Sequence, residues 1–287
     1  MEKSKVYFSR VLTKENVVNV YKQLGVELKG KVAVKVHSGE NGNQNFLKPE
    51  FLEDMIKYVN GTVVECNTAY EGKRNTTEKH RDLIEKHGWT KLFDVDIMDA
   101  DAEFELEIPD GKVIKKNFVG EHLKNYDSML MLSHFKGHPM GGFGGALKNM
   151  SIGVASSHGK AYIHGAGVVE NFWSADHDSF LEAMADADKS IVDFFGGNMA
   201  FVNIMSNISV DCDCCWKAED PCMKDIGILA SLDPVALDRA CVDLVYNSDD
   251  PGKEKLIERI ESRNGTHTID AAYDLGIGNV EYDLIEI

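Results

Sequence analysis

The chain has 287 residues, with 31 basic and 47 acidic side chains and a formal net charge of −16 when histidines are neutral. Hydrophobic content of 43% and charged content of 27% are ordinary globular values, which exclude a disordered, collagenous, coiled-coil or disulfide-miniprotein chain. The acid excess argues against a nucleic-acid binder, whose affinity rests on neutralising phosphates, but leaves room for a small anion in one local basic pocket.

The opening Met1–Phe8 segment contains no apolar stretch of signal-peptide length. The longest apolar runs, such as Met129–Leu132, fall far short of the ~20 residues of a membrane helix. Both features predict a cytoplasmic protein with no membrane partner and with reduced cysteines. Periodicity predicts a helix over 14–24, with Val17, Tyr21 and Leu24 on one face, then a buried strand over 31–36 that ends at His37. A helix over 49–59 carries Pro49 near its first turn, where a missing N–H is harmless. A strand over 62–66 and a polar helix from Thr77, stopping at Gly88, come next. A strand over 94–98 precedes two extended stretches, 103–108 and 112–118, which flank the hairpin signal Pro109-Asp110-Gly111.

The strongest buried strand is 128–132. It runs into His134–Lys148, where five glycines fall among residues 137–145 and a helix start is expected near Gly144. A long helix over 176–195, strands over 201–205 and 226–230, and a helix opened by Asp233-Pro234 follow. Two shorter helices and a strand over 279–285 complete the chain. This alternation predicts an α/β fold: a mainly parallel central sheet flanked by helices, with an embellished middle segment. With no linker, repeat or low-complexity tract, residues 1–287 read as a single domain.

In open α/β sheets, ligands bind beyond the carboxyl ends of the strands. Here those ends carry His37, then Cys66-Asn67-Thr68, then Ser133–His138, then Asn207 and Asp211–Cys215, a set expected to share one rim. In the glycine-rich segment, backbone amides at Gly144 and Gly145, Lys136, Lys148 and Asn149, with His37 nearby, predict an anion site at a helix start. His134 and His138 add metal or proton-transfer capacity. The other reading is a surface loop. Neither the P-loop nor the dinucleotide fingerprint fits. Farther on, His158, Lys160 and His164 form a second polar cluster with weaker spacing, each read as incidental.

Cys212, Cys214, Cys215 and Cys222 are the other chemical signal. Clustered thiolates favour zinc, copper(I) or iron–sulfur centres, yet the spacing matches neither a zinc ribbon nor a ferredoxin run. A metal site completed by Cys66 or a histidine, a redox dithiol, and free thiols without a role all stay open. Cys241 lies on an apolar helical face and reads as core.

His134–His138, followed by Gly142–Gly153, resembles one hallmark of the family known as domain of unknown function 362. Asp211–Cys214, followed by Asp225–Asp238, is similar to its second hallmark, so the resemblance spans most of the chain. Family members often carry an inserted ferredoxin module with Cys-x2-Cys-x2-Cys-x3-Cys. This sequence has only the shorter Cys-Asp-Cys-Cys patch and departs from the family there. The family has no settled reaction, so the resemblance implies a fold and candidate sites rather than a substrate.

The combined expectation is a metal- or iron–sulfur-dependent enzyme of redox or anaerobic metabolism acting on a small anionic molecule, with a redox protein as partner. Cys212, Cys214, Cys215 and Cys222 would hold a metal ion or iron–sulfur cluster; His134, His138 and Lys136 would be catalytic; His37, Lys148, Asn149, Gly144 and Gly145 would bind substrate. Alternatives are a non-catalytic electron-transfer or metal-binding module, and a non-redox metal-assisted racemase or lyase in which paired histidines exchange protons beside a carbonyl.

Overall fold

An eight-stranded sheet forms the centre of the computed structural model, which describes residues 3–287. Met1 and Glu2, which open the stretch read for an export signal, lie outside the described residues. The first half of the chain runs β1 (Ser4–Ser9), α1 (Lys14–Lys22), β2 (Val32–Lys35), α2 (Pro49–Tyr58), β3 (Thr62–Glu65), α3 (Thr77–Lys86) and β4 (Val95–Ile97). The middle contains β5 (Glu103–Glu107), β6 (Lys116–Gly120), β7 (Ser128–His134), β8 (Lys136–His138), β9 (Gly142–Gly144), α4 (Ala146–Val154) and α5 (Ser157–His164). The last third runs α6 (His177–Phe195), β10 (Met199–Met205), β11 (Gly227–Ser231), α7 (Pro234–Tyr246), α8 (Lys253–Ser262), α9 (His267–Asp274) and β12 (Tyr282–Glu286).

The sheet order is β12-β1-β11-β10-β7-β2-β3-β4, and every pairing is parallel except the two made by β11. The strands are apolar on both faces because both are covered. Val32, Val34, Leu130, Leu132 and Val202 pack with Val17, Tyr21, Leu52 and Ile56 of α1 and α2. The alternate residues Ala33, Met129, Met131 and Phe201 pack with Leu147, Ile191, Leu237 and Ala240 of α4, α6 and α7. Burying one such large side chain contributes about 1.5–3 kcal/mol, so the period of two fixes which face each strand turns to which helices. Among the described residues no helix is long and apolar enough to cross a membrane.

Three local features differ from the sequence expectation. The strand predicted over 128–132 runs on to His134, because β10 pairs with it as far as Ile204 opposite His134. The hairpin of β5 and β6 closes through a longer connection than Pro109–Gly111, since the Asp186 carboxylate accepts hydrogen bonds from the amides of Lys112, Val113 and Ile114 at 2.6–2.8 Å. The glycine-rich segment is no surface loop: β8 and β9 pair antiparallel and are buried throughout. The sequence pattern also gave no warning of α5, whose start is capped by Ser156 accepting from the Gly159 amide.

After β2 the chain moves outward through β3 and β4, then returns with β7 on the other side of β2 and continues to β10. The order of strands therefore reverses between β2 and β7, and their carboxyl ends open a crevice at that point.

Candidate functional site

A cavity of about 80 Å³ lies beyond the carboxyl ends of β2, β3 and β7, lined also by β8, α4, α5 and the Cys214 turn. At ~10–15 Å³ per water it holds roughly five to eight waters, which suits a ligand of a few non-hydrogen atoms. Five cationic side chains line it: Lys35, Arg74, Lys136, Lys148 and Lys160. Three of them are neutralised. Lys35 pairs with Glu65 at 2.6 Å, Arg74 with Glu40 at 3.0 Å, and Lys136 with Asp213 at 3.0 Å, all buried. Burial raises the Glu65 and Asp213 carboxyls, but the neighbouring cations outweigh it and hold both well below the usual carboxylate range.

Lys148 and Lys160 have no carboxylate partner among the described residues. The Lys160 ammonium donates to the Ala155 carbonyl at 2.5 Å, and burial pushes its pKa down, with Lys35 adding to the shift. In a protein of net charge −16 these two lysines thus give the cavity a local bias toward positive charge.

Asp213 explains the aspartate between the cysteines. Both its oxygens lie 3.0 Å from His134 Nδ1, and Lys136 Nζ donates to the His134 carbonyl at 2.9 Å. His134 Nε2 donates to the Ser206 carbonyl at 2.6 Å. Both ring nitrogens therefore face acceptors, and neither lone pair is open to a metal or a substrate proton. Gly137 belongs to the same clamp: its amide donates to the Ser209 carbonyl at 2.8 Å, and a Cβ there would stand 2.3 Å from the Val210 oxygen.

The remaining histidines of the cavity are neutral and held in definite tautomers. His138 Nδ1 accepts from the amides of Met140 (3.2 Å) and Gly141 (2.8 Å), which places the ring proton on Nε2, 3.9 Å from Cys214 Sγ. Burial pushes its pKa down to about 4, with Lys148 and Lys136 adding to the shift. His37 Nδ1 accepts from the Gly39 amide at 3.1 Å, and burial and Arg74 hold it well below the ordinary value. His164 is the reverse: Nδ1 lies 2.7 Å from the Lys160 carbonyl, so Nδ1 carries the proton and the Nε2 lone pair is free. Burial, with Lys148 and His138 nearby, pushes its pKa down to about 3.

His138, Cys212 and Cys214 each offer a ligand atom, all within 4.8 Å of one another, and this group could hold a metal ion. Cys212 is fully buried, while Cys214 faces the cavity. A hydrogen bond from the Cys214 thiol, helped by Lys148, His138 and Lys136, holds Cys212 well below the usual thiol value against burial; Cys214 is pushed up in exchange. Two adjacent sulfur donors beside an imidazole suit a soft ion. A metal at His138 Nε2 would have to displace the proton that the two amides place there, so the sulfurs are the firm part of the donor set.

A family model described as domain of unknown function (DUF362) matches residues 32–243, which include both sequence hallmarks and every side chain of this cavity named above. The chain belongs to the DUF362 family. No curated protein matches it in sequence. Among solved structures, it resembles the lactate racemase apoprotein of Thermoanaerobacterium thermosaccharolyticum at 15% identity and a TM-score of 0.47, over 83% of this chain and 56% of that one. It resembles a Thermotoga maritima protein at 11% identity and a TM-score of 0.44, over 91% of this chain and 58% of that one. The DUF362 chain spans a little over half the length of either.

Several expected roles change in this DUF362 chain. Two of the helix-terminal amides are taken, since Asp238 accepts from the amides of Ala146 (2.8 Å) and Leu147 (2.9 Å), while Gly144 and Gly145 themselves line the cavity. A Cβ on Gly145 would lie 2.3 Å from that carboxylate, so the glycine makes room for the cap. Lys136 is neutralised by Asp213, and His134 is locked at both nitrogens. Asn149 spends its Nδ2 on Ser133 Oγ and the Lys35 carbonyl, tying α4 to β7 and β2. Cys222 lies outside the His138/Cys212/Cys214 group, with its thiol on the Ile208 carbonyl at 3.3 Å. Cys215 lies beside Cys214 but also outside that group. Cys66 donates to the Val154 carbonyl, and Cys241 is core as expected.

Lys160 and His164, set aside in the sequence as incidental, line the cavity together with Lys35, Glu65 and Arg74. Their signal was weak but present: a charged Lys35 inside an apolar strand, and a Lys-x3-His spacing that puts two polar residues on one helical face.

Proposed function

We propose that this chain is a metal-dependent enzyme acting on a small anionic substrate. The observation that carries this reading is the pair of cations without a carboxylate ion-pair partner, buried Lys160 and half-buried Lys148, in a small cavity that also receives Cys214. An anion seated between them would restore neutrality and gain charge-assisted hydrogen bonds in a site largely shielded from water. Cys212 and Cys214, with His138, would hold a soft metal ion at one wall of that cavity. When bound, such an ion supplies Lewis-acid or redox chemistry next to the anion. Lys35, Arg74 and Lys136 serve differently: their ion pairs fix β2, the Arg74 turn and the cysteine turn around the space.

Two measurements test the reading together. Protein produced anaerobically carries stoichiometric transition metal, which is lost in a Cys212→Ser/Cys214→Ser variant. Calorimetric titration with phosphate, sulfate and acetate shows binding to the wild type that weakens in Lys148→Met and in Lys160→Met. Metal-free wild-type protein from metal-supplemented cells, or anion affinities equal in all three proteins, refutes it.

A further inference from the structure

We propose that His164 is the proton-accepting base of this cavity, and that the small anion it serves is a 2-oxo carboxylate whose carbon-bound hydrogen it removes; the proposal rests on the anion-binding reading above. Among the cavity histidines of the described residues, His164 alone has a fixed Nδ1 donor bond, to the Lys160 carbonyl at 2.7 Å, and no partner at Nε2. His134 has both nitrogens on acceptors, while His138 and His37 each use Nδ1 as an acceptor and so carry their proton on Nε2. The His164 ring is also clamped between Phe172 and Phe180, with centroids at 4.8 and 4.9 Å and planes 22° apart in each case. A ring held by a hydrogen bond at one nitrogen and by two aromatic faces presents its free lone pair in one direction, as a general base must.

Charge arithmetic points to the substrate class. Lys148 and Lys160 bring two ammonium groups to the cavity with no carboxylate within 4 Å of either among the described residues, whereas a small monocarboxylate brings one negative charge. The second ammonium matches a charge that arises only during reaction. When His164 Nε2 takes a hydrogen as a proton from the carbon next to the ketone, the C–H electron pair moves into the carbonyl, and the product is an enolate with two negative charges. The cavity is then complementary to the deprotonated species more than to the ground state, which is the arrangement that lowers a barrier. Imidazole is too weak a base for an unactivated C–H bond, so the carbon must adjoin a carbonyl. The bound carboxylate offsets the two lysines that help keep the ring uncharged, so substrate binding itself strengthens the base. Return of the proton from Nε2 closes the cycle without any oxidant or reductant.

The test uses the full chain as isolated, with pyruvate as probe, in D2O. Wild type exchanges the methyl hydrogens of pyruvate for deuterium above the buffer rate, followed by proton NMR. His164→Asn keeps a donor for the Lys160 carbonyl but has no lone pair at the Nε2 position; it should bind pyruvate within about threefold of wild type and lose ~10²–10⁴ of the exchange rate. Nitrogen-15 NMR of the wild type should show His164 protonated at Nδ1 and bare at Nε2, with the Nε2 signal moving as pyruvate is added, a readout independent of turnover. Exchange undiminished in His164→Asn, an Nε2-protonated ring, or pyruvate binding without exchange each overturns the assignment to His164 while leaving the anion site standing. Binding of phosphate but not pyruvate overturns the substrate class. Failure of every anion to bind removes the reading on which the proposal depends, and the proposal with it.

Discussion

Two groups of basic side chains meet in one cavity, and the fold treats them in opposite ways. Lys136 and His134 come from the end of β7 and from β8, and Asp213 meets them both at 3.0 Å in a buried cluster that also absorbs the Ser206 carbonyl. Lys148, Lys160 and His164 come from α4 and α5 and receive no carboxylate. Charge that is matched inside the protein builds structure, because removing one partner strands the other in a low dielectric. Charge left unmatched beside it, on buried Lys160 and half-buried Lys148, costs stability in proportion to its burial and can be recovered by a ligand. The comparison separates residues that shape this site from residues that are free to act in it.

The sharpest break comes at Asp213. Its replacement by alanine strands Lys136 and His134 and should destabilise the fold by ~3–5 kcal/mol, read from urea unfolding. A loss under about 1 kcal/mol would mean the clamp is no more than a surface ion pair. Titration of stability between pH 4.5 and 6 tests the same contrast across the whole core. His37, His80, His138 and His164 have native pKa values below their ordinary 6.5, so the unfolded chain binds these protons and the native state does not. Asp238, raised to about 6 by burial, and Asp188, raised well above the ordinary value by burial and by Asp238, work in the other direction from 3.8 upward. These four histidines against two carboxyls leave a net uptake of about two protons on unfolding, to which half-buried His87, also held below its ordinary value by burial, adds in the same direction. Stability should therefore climb with pH over this window, by about 2–3 kcal/mol per unit, and chemical denaturation at several pH values would show it. A flat or falling profile would mean the histidines are charged in the native state.

A smaller effect distinguishes the two lysines of the glycine-rich segment. Lys148→Met should weaken anion binding by about 1.5–3 kcal/mol, roughly ten- to a hundredfold, with little change in the melting temperature. Lys136→Met should do the reverse, lowering stability by leaving Asp213 underpaired. Calorimetry with phosphate and thermal melts on both variants would exchange their roles if the comparison is wrong. The smallest change belongs to Cys222. Cys222→Ser should leave metal content unaltered, while Cys214→Ser lowers it, by elemental analysis of anaerobic protein.

Much of this was legible in the residues. Apolar runs bounded by polar turns located β2, β3, β7 and β10, and their parallel order followed from the helices between them. The rim expected from strand ends in a parallel sheet is met in part: His37, Cys66, Thr68, His134, Lys136, His138 and Cys214 line the cavity, whereas Asn207, Asp211 and Cys215 do not. The roles of the glycines were not legible. Gly137 and Gly145 suggest ligand approach because a run of glycines does so in general, whereas here each admits another part of the protein, the Val210 backbone and the Asp238 carboxylate. Asp238 follows Gly145 by more than ninety residues, so no local pattern could pair them.

The sequence by itself determined the α/β alternation, the family, and which few segments carry reactive side chains, because strand and helix periods and short motifs are local properties. Only the tertiary structure decided which charges are matched and which nitrogen of each histidine is open. Asp213 claims Lys136 and His134, Asp238 claims the helix start, and the Lys160 carbonyl sets the tautomer of His164. These are long-range or geometry-dependent contacts, and a hydrogen-bonding group is spent or available according to what the fold brings within about 3 Å of it.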